Sequence, residues 1–215
     1  MPRRPRRRKL SAKRSAPRVS ALLARPRGRI EVALDGERWR ALPAEVVLAA
    51  GLDVGVELDR PRAQRVRREL VRHEATAKAA RLLARRDLTE MELAERLSRA
   101  RVAPAARSEA VGRLVRAGAV DDKRLARSRA EVLAQRGSGD ALIRHDLTGR
   151  GIAEDLVEAA VGALEPEAAR ARRIVDARGA SLRTTRHLAR KGFSEDSIES
   201  ASGEGIAEEA PPAVR

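Results

Sequence analysis

Guanidinium groups are the chemistry this sequence offers in quantity. Between Ser181 and Gly192 the run SLRTTRHLARKG carries Arg183, Arg186, Arg190 and Lys191 with no acid among them. Spacings of three and then four residues put Arg183, Arg186 and Arg190 on one helical stripe, with Leu182 and Leu188 expected on the buried side. A cationic stripe without partners on its own helix suits a phosphate or an acidic protein surface; a solubilising face is the plainer alternative. A second stripe, Lys78, Arg81 and Arg85, stands opposite Ala75, Ala79, Leu82 and Leu83. Arg96 and Arg99 are different, because Glu92 and Glu95 precede each by four residues and internal ion pairs are expected to neutralise them.

Catalytic chemistry is not legible. His73, His145 and His187 lie far apart and none has a metal-ligand spacing, so each reads as an ordinary helix-surface residue. No glycine-rich phosphate loop and no serine nucleophile elbow occur. Cysteine is absent, which removes disulfides, thiolate nucleophiles and Cys-ligated zinc. The expectation is a protein that is not an enzyme, with no catalytic residue, no metal and no cofactor.

The elements that carry these residues repeat. Asp121 caps a helix whose apolar side chains are Leu125, Val132 and Leu133, with Ala126 and Ala130 flattening the same face. Gly137-Ser138-Gly139 ends it, a second helix presents Ile143 and Leu147, and Gly151 closes that helix before Ile152. Leu83, Leu133 and Ile174 each lie fourteen positions before Leu97, Leu147 and Leu188, and Val102, Ile152 and Phe193 follow five positions later. The position before that last anchor is Arg101, Gly151 or Gly192. A third short helix is expected in each copy: Ala105 to Ala117 with Gly118 as C-cap, Ala153 to Ala163, and Glu195 to Ala201. This self-similarity predicts three tandem three-helix repeats in an elongated curved array.

The central copy resembles the RecX family of recombination regulators. The resemblance is carried by Asp121-Asp122 before Arg124-Leu125-Ala126, by Arg136-Gly137-Ser138-Gly139, Ile143 and Leu147, and by Gly151-Ile152. Leu188-Ala189-Arg190-Lys191-Gly192-Phe193 echoes it in the last copy. It covers about Arg29 to Ser202. The family usually has Phe at the place of Leu125, and Gly or Lys-Gly at Ala100-Arg101. The resemblance implies a partner, the RecA recombinase, free or as a filament on single-stranded DNA. It also implies restraint of that enzyme's ATPase, strand-exchange and co-protease activities. It transfers no catalytic residue, and Asp121, Leu125, Gly137, Leu147, Gly151, Gly192 and Phe193 read as structural.

Composition fits such a reading. Apolar residues make up 42% of the chain but aromatics only 1%, so cores are expected to be thin layers of Leu, Val, Ile and Ala. The net charge of +15 is concentrated at the start: residues 1–28 hold eleven Lys and Arg and no acid. Interrupted by four prolines, this stretch is expected to be a disordered basic tail able to make phosphate contacts with DNA. Residues 204–215 are expected to fray as well. In between, residues 29–59 read as a small strand-rich module. Its parts are a hairpin turning at Asp35-Gly36, a helix from Pro43 to Ala50 closed by Gly51, and a third strand at Val54–Leu58. A helical run begins at Pro61, and the basic stretch from Arg60 to Arg72, with six arginines, leads into the repeats, with a break expected near His73.

The expected organisation is therefore a linker helix and first repeat over residues 60–118, a second over 119–164 and a third over 165–203. No apolar run reaches membrane-span length, and a cytoplasmic monomer is expected. Stand-alone DNA binding is the competing function. The chain has no Asn and only Gln64 and Gln135, so DNA contact is expected at phosphates and without sequence preference.

Overall fold

The alternation of Ile30, Val32 and Leu34 with polar neighbours is realised as the middle strand of an antiparallel sheet. In the computed structural model, which describes residues 15–203, the chain divides into two units, Met1–Glu74 and Ala75–Arg215. The first holds β1 (Val19–Arg25), β2 (Arg29–Leu34) and β3 (Glu37–Pro43) in the order β1-β2-β3. Asp35 (φ 49°) and Gly36 (φ 89°) make the two-residue turn with both dihedrals positive that matches strand twist. Val32 and Leu42 are fully buried and meet Val46 and Val47 of α1 (Ala44–Ala49) and Val66 of α2 (Arg60–Leu83).

Three expectations fail here. The tail does not stay irregular to residue 28, because residues 19–25 form β1, pairing Leu22 with Val32 and Ala24 with Ile30. Val19 and Leu22 supply an apolar edge to the sheet, which their arginine-rich surroundings conceal in the sequence. Val54–Leu58 is not a strand: Gly55 turns at φ 87°, Val54 is exposed, and only an isolated Arg18–Glu57 bridge remains. Its backbone serves the start of β1 instead, with the Val19 amide donating to the Val56 carbonyl at 2.8 Å. Finally, α2 does not break at His73. No Gly or Pro follows Pro61 in it, and the ring Nδ1 lies 3.2 Å from Glu45 Oε2. Residues 1–14 and 204–215, the rest of the expected tails, lie outside the described residues.

The second unit is three three-helix repeats. The end of α2 from Ala75 joins α3 (Glu90–Arg99) and α4 (Pro104–Arg116). Then come α5 (Asp122–Gln135), α6 (Asp140–Gly149) and α7 (Glu154–Gly162), followed by α8 (Glu167–Arg178), α9 (Leu182–Arg190) and α10 (Glu195–Ser202). The repeated leucines Leu97, Leu147 and Leu188 are each fully buried. Behind each is the same helix ending: the amides of Val102, Ile152 and Phe193 donate back to the carbonyls of Leu97, Leu147 and Leu188 at 3.0, 3.3 and 3.2 Å. That bond requires a left-handed residue before it, and Arg101, Gly151 and Gly192 have φ of 57°, 75° and 81°. On α5 the small residues take the centre: Ala126 and Ala130 are fully buried against α7, while Leu125, Val132 and Leu133 are half-buried at the flanks.

Candidate functional site

Successive repeats are joined through the same two places, the start of a middle helix and the turn that ends the next middle helix. Thr89 caps α3, accepting from the Glu92 amide at 3.0 Å in a full capping box, and its hydroxyl also donates to the Arg150 carbonyl at 2.8 Å. The Arg150 guanidinium returns to Glu92 with two bonds of 3.1 Å. Burial raises the Glu92 pKa, but the Arg150 hydrogen bond, the Thr89 amide and the nearby Arg86 outweigh it and hold the carboxyl below its ordinary value. Glu92 thus faces the second repeat, and its expected pairing with Arg96 does not form. Arg99 does pair with Glu95, at 3.1 Å. Asp122, beside Asp121 at the start of α5, accepts from the Glu90 amide at 3.0 Å.

At the next junction Gly139, one repeat on from Thr89, has no side chain to reach across. Its backbone amide approaches instead, donating to the Lys191 carbonyl at 2.8 Å, and the Ala141 amide donates to the Gly192 carbonyl at 3.1 Å. The contact is so close that a Cβ on Gly139 would lie 2.3 Å from the Gly192 carbonyl carbon. Arg170 is buried here, bonding to Asp140 and, at 2.8 Å, to the Ser138 carbonyl, with Phe193 beneath it at 5.8 Å. Glu167 receives the Asp140 amide at 2.6 Å and the Ser194 hydroxyl at 2.6 Å.

The residues read as structural from sequence occupy such places. Asp121 caps α5 through the Arg124 amide at 2.9 Å, and Leu147 and Phe193 are core. Gly137 turns at φ 75° beside Ile174, while Gly151 and Gly192 carry Met91 and Leu142 where a Cβ would stand. Leu125 lies in the wall of a depression of about 330 Å³ with Asp87, Arg124, Arg129 and Arg150. Sequence reasoning missed Arg150 and Arg170, since nothing in their spacing separates them from surface arginines.

The cationic candidates separate. Lys78 is half-buried and spends its ammonium on the Ala100 carbonyl at 3.0 Å, closing the end of α3. Arg81 and Arg85 are exposed, but α2 ends at Leu83, so Arg85 sits in the following turn and the three do not form one stripe. Arg183, Arg186 and Arg190 are all exposed on α9, with Lys191 as its C-cap. Leu182 is 62% exposed rather than buried. Six residues at 3.6 per turn leave it a third of a turn away from the direction of Leu188. Arg178, at the end of α8, joins Ser181, Arg183, Thr184, His187 and Arg190 around a depression of about 350 Å³. Burial and then Arg178, Lys191 and Arg190 push the His187 pKa down. Among the described residues no acid forms an ion pair with Arg178, Arg183, Arg186, Arg190 or Lys191. Nor does any group of His, Asp and Glu suited to a metal ion occur among them, and no helix is long and apolar enough to cross a membrane.

Comparison with known proteins fits this architecture. Residues 121–161, which are α5 to α7 with their cap, match the family described as RecX, second three-helix domain. A crystal structure of regulatory protein RecX superposes with a TM-score of 0.76 at 21% identity, over 86% of this chain and 98% of that one. RecX from Lactobacillus salivarius gives 0.53 at 20% identity, over 60% and 92%. These two likenesses establish the fold. The Regulatory protein RecX of Halorhodospira halophila (strain DSM 244 / SL1) is 32% identical over 134 residues, 58% of this chain and 83% of that protein. With sequence and repeat architecture in agreement, the chain belongs to the RecX family of regulatory proteins.

Proposed function

We propose that this protein binds the RecA recombinase, free or as a filament on single-stranded DNA, and inhibits its ATPase, strand-exchange and co-protease activities during recombination and repair. It acts as a regulator and performs no chemistry itself. The observation that carries this reading, beyond family membership, is the α9 face. Four cations, Arg183, Arg186 and Arg190 on one short helix and Lys191 at its C-cap, have no ion-pair partner among the described residues. Several arginines elsewhere in the repeats are answered by carboxylates, as Arg99 by Glu95, Arg144 by Glu158 and Arg150 by Glu92. A helix that leaves its charges unpaired is suited to an acidic partner surface. Arg81 and Arg85 extend the candidate contact set, while Lys78 is committed to the Ala100 carbonyl. A row of repeats, each contacting its neighbours, provides a surface that can touch several protomers of a helical assembly.

The test is single-strand-dependent ATP hydrolysis by the recombinase with increasing amounts of this protein. Inhibition at substoichiometric ratio is expected, because one bound molecule affects several protomers. No inhibition at several-fold excess would refute the reading and favour a stand-alone DNA-binding protein, for which the same arginines would serve.

A further inference from the structure

We propose that the depression between the end of α8 and the flank of α9 is a phosphodiester-binding site, and that its occupant is the backbone of a nucleic acid strand. The proposal names the ligand of the α9 face and so shares that face with the regulatory reading, but it does not need the recombinase to be tested.

The first argument is convergence. Arg178 comes from the last turn of α8, while Arg183, His187 and Arg190 come from one flank of α9, and all line the same depression of about 350 Å³. Ser181 and Thr184 shape its edge, their hydroxyls bonded to each other at 3.1 Å and that of Thr184 donating to the Gly179 carbonyl at 2.8 Å. Two helices joined by only three residues therefore bring three guanidinium groups and an imidazole around one space. Surface arginines that serve only solubility spread apart, because like charges close together raise each other's energy.

The second argument is that no acid among the described residues answers this charge. Asp176 on α8 and Glu195, Asp196 and Glu199 on α10 are the nearest acids in sequence, and none forms an ion pair with the cluster. The cost is visible at His187, whose pKa is lowered by burial and by Arg178, Lys191 and Arg190. An anion in the depression would relieve that repulsion.

The third argument concerns the shape of the anion. Three guanidinium forks and a ring N–H arriving from two helices suit a tetrahedral oxyanion, whereas a planar carboxylate is satisfied by a single fork. The near absence of aromatic residues leaves backbone phosphate, not base, as the part of a nucleic acid that can be held. The site should therefore bind without sequence preference.

The experiment uses the full chain without recombinase. The His187 ring resonances are followed by NMR through a pH titration, first alone, then with inorganic phosphate, then with a single-stranded oligonucleotide of about six nucleotides. The His187 midpoint is expected to move upward toward the ordinary histidine value with both anions. In parallel, Arg178→Ala combined with Arg190→Ala is compared with the charge-matched pair Arg116→Ala and Arg127→Ala on α4 and α5, whose side chains are exposed. Losing two charge-assisted hydrogen bonds should weaken oligonucleotide affinity by about tenfold or more in the first pair and by less than about twofold in the second. Circular dichroism confirms that both variants are folded.

An unmoved His187 midpoint would overturn the proposal. So would equal losses in the two pairs, which would mean bulk charge attraction. Unchanged oligonucleotide affinity with lost recombinase binding would make the ligand an acidic protein surface instead. Normal oligonucleotide binding with no inhibition of the recombinase would sink the regulatory reading and leave this site standing.

Discussion

Replacing Gly139 by Ala adds one methyl group, and the junction between the second and third repeats should not tolerate it. The dihedral φ of Gly139 is −79°, open to any residue, so backbone strain plays no part. What forbids the methyl is the Gly192 carbonyl carbon at 2.3 Å and the Phe193 amide nitrogen at 2.3 Å, both backbone atoms that cannot rotate away. Relief requires the repeats to separate, which breaks the bonds from the Gly139 amide to Lys191 and from the Ala141 amide to Gly192. Two hydrogen bonds at about 0.5–1.5 kcal/mol each, with about 1–3 kcal/mol of overpacking, put the loss at about 2–6 kcal/mol. Gly149→Ala is the matched control: the same chemical change at the end of the same helix, where nothing lies within 4 Å of the new methyl. It should be neutral or stabilising by up to about 1 kcal/mol, as Ala is the better helix former. Denaturant unfolding gives both values, and hydrogen exchange should show loss of protection at the Gly139 and Ala141 amides only in the first variant. Equal stabilities of the two variants would refute the close approach of the repeats.

Other expectations follow from the same geometry. Arg101→Gly should stabilise the protein by about 1 kcal/mol in denaturant unfolding, because Arg101 holds the left-handed turn (φ 57°) that glycine occupies at 151 and 192. Leu147→Ala should cost about 2–5 kcal/mol, as emptying a fully buried site does, and a loss under about half a kcal/mol would break the repeat register. Glu92 has a lowered pKa in the folded state, so its contribution is present above the unfolded carboxylate pKa of about 4.3 and is lost as pH falls through the folded value. Wild type should therefore lose stability relative to Glu92→Gln below about pH 4.3, and a gap independent of pH would show that Arg150 does not hold a charged Glu92. Reversal of Arg183, Arg186 and Arg190 to Glu should leave stability within about 0.5 kcal/mol per site yet abolish recombinase inhibition, whereas retained inhibition would move the contact away from α9.

Local rules wrote most of the second unit into the sequence. The helix ending that repeats at Leu97–Val102, Leu147–Ile152 and Leu188–Phe193 depends on bonds within six residues, so the spacing of an apolar anchor, a left-handed residue and a second anchor is enough to reveal it. The caps at Thr89, Asp121 and Ser181 are local for the same reason. Family resemblance was legible through the same positions. The sheet was only partly so: β2 and β3 are joined by a two-residue turn that announces itself, but β1 announces nothing, because its pairing with β2 is what makes Val19 and Leu22 interior.

Charge was where sequence and structure parted. A rule of four residues assigned Glu92 to Arg96, while the fold gave it to Arg150, 58 residues on, because a guanidinium in a partly buried junction gains more from a carboxylate than one in water does. Lys78 looked like part of a stripe until a helix end came within reach of its ammonium. Arg170 looked like any surface arginine and is buried. The sequence by itself determined which residues turn, cap and fill each repeat, since those interactions close within a few residues. Only tertiary structure decided which of its many arginines are spent on holding the repeats together and which, around His187, are left without an ion-pair partner among the described residues, because an ion pair depends on distance in space and not on position along the chain.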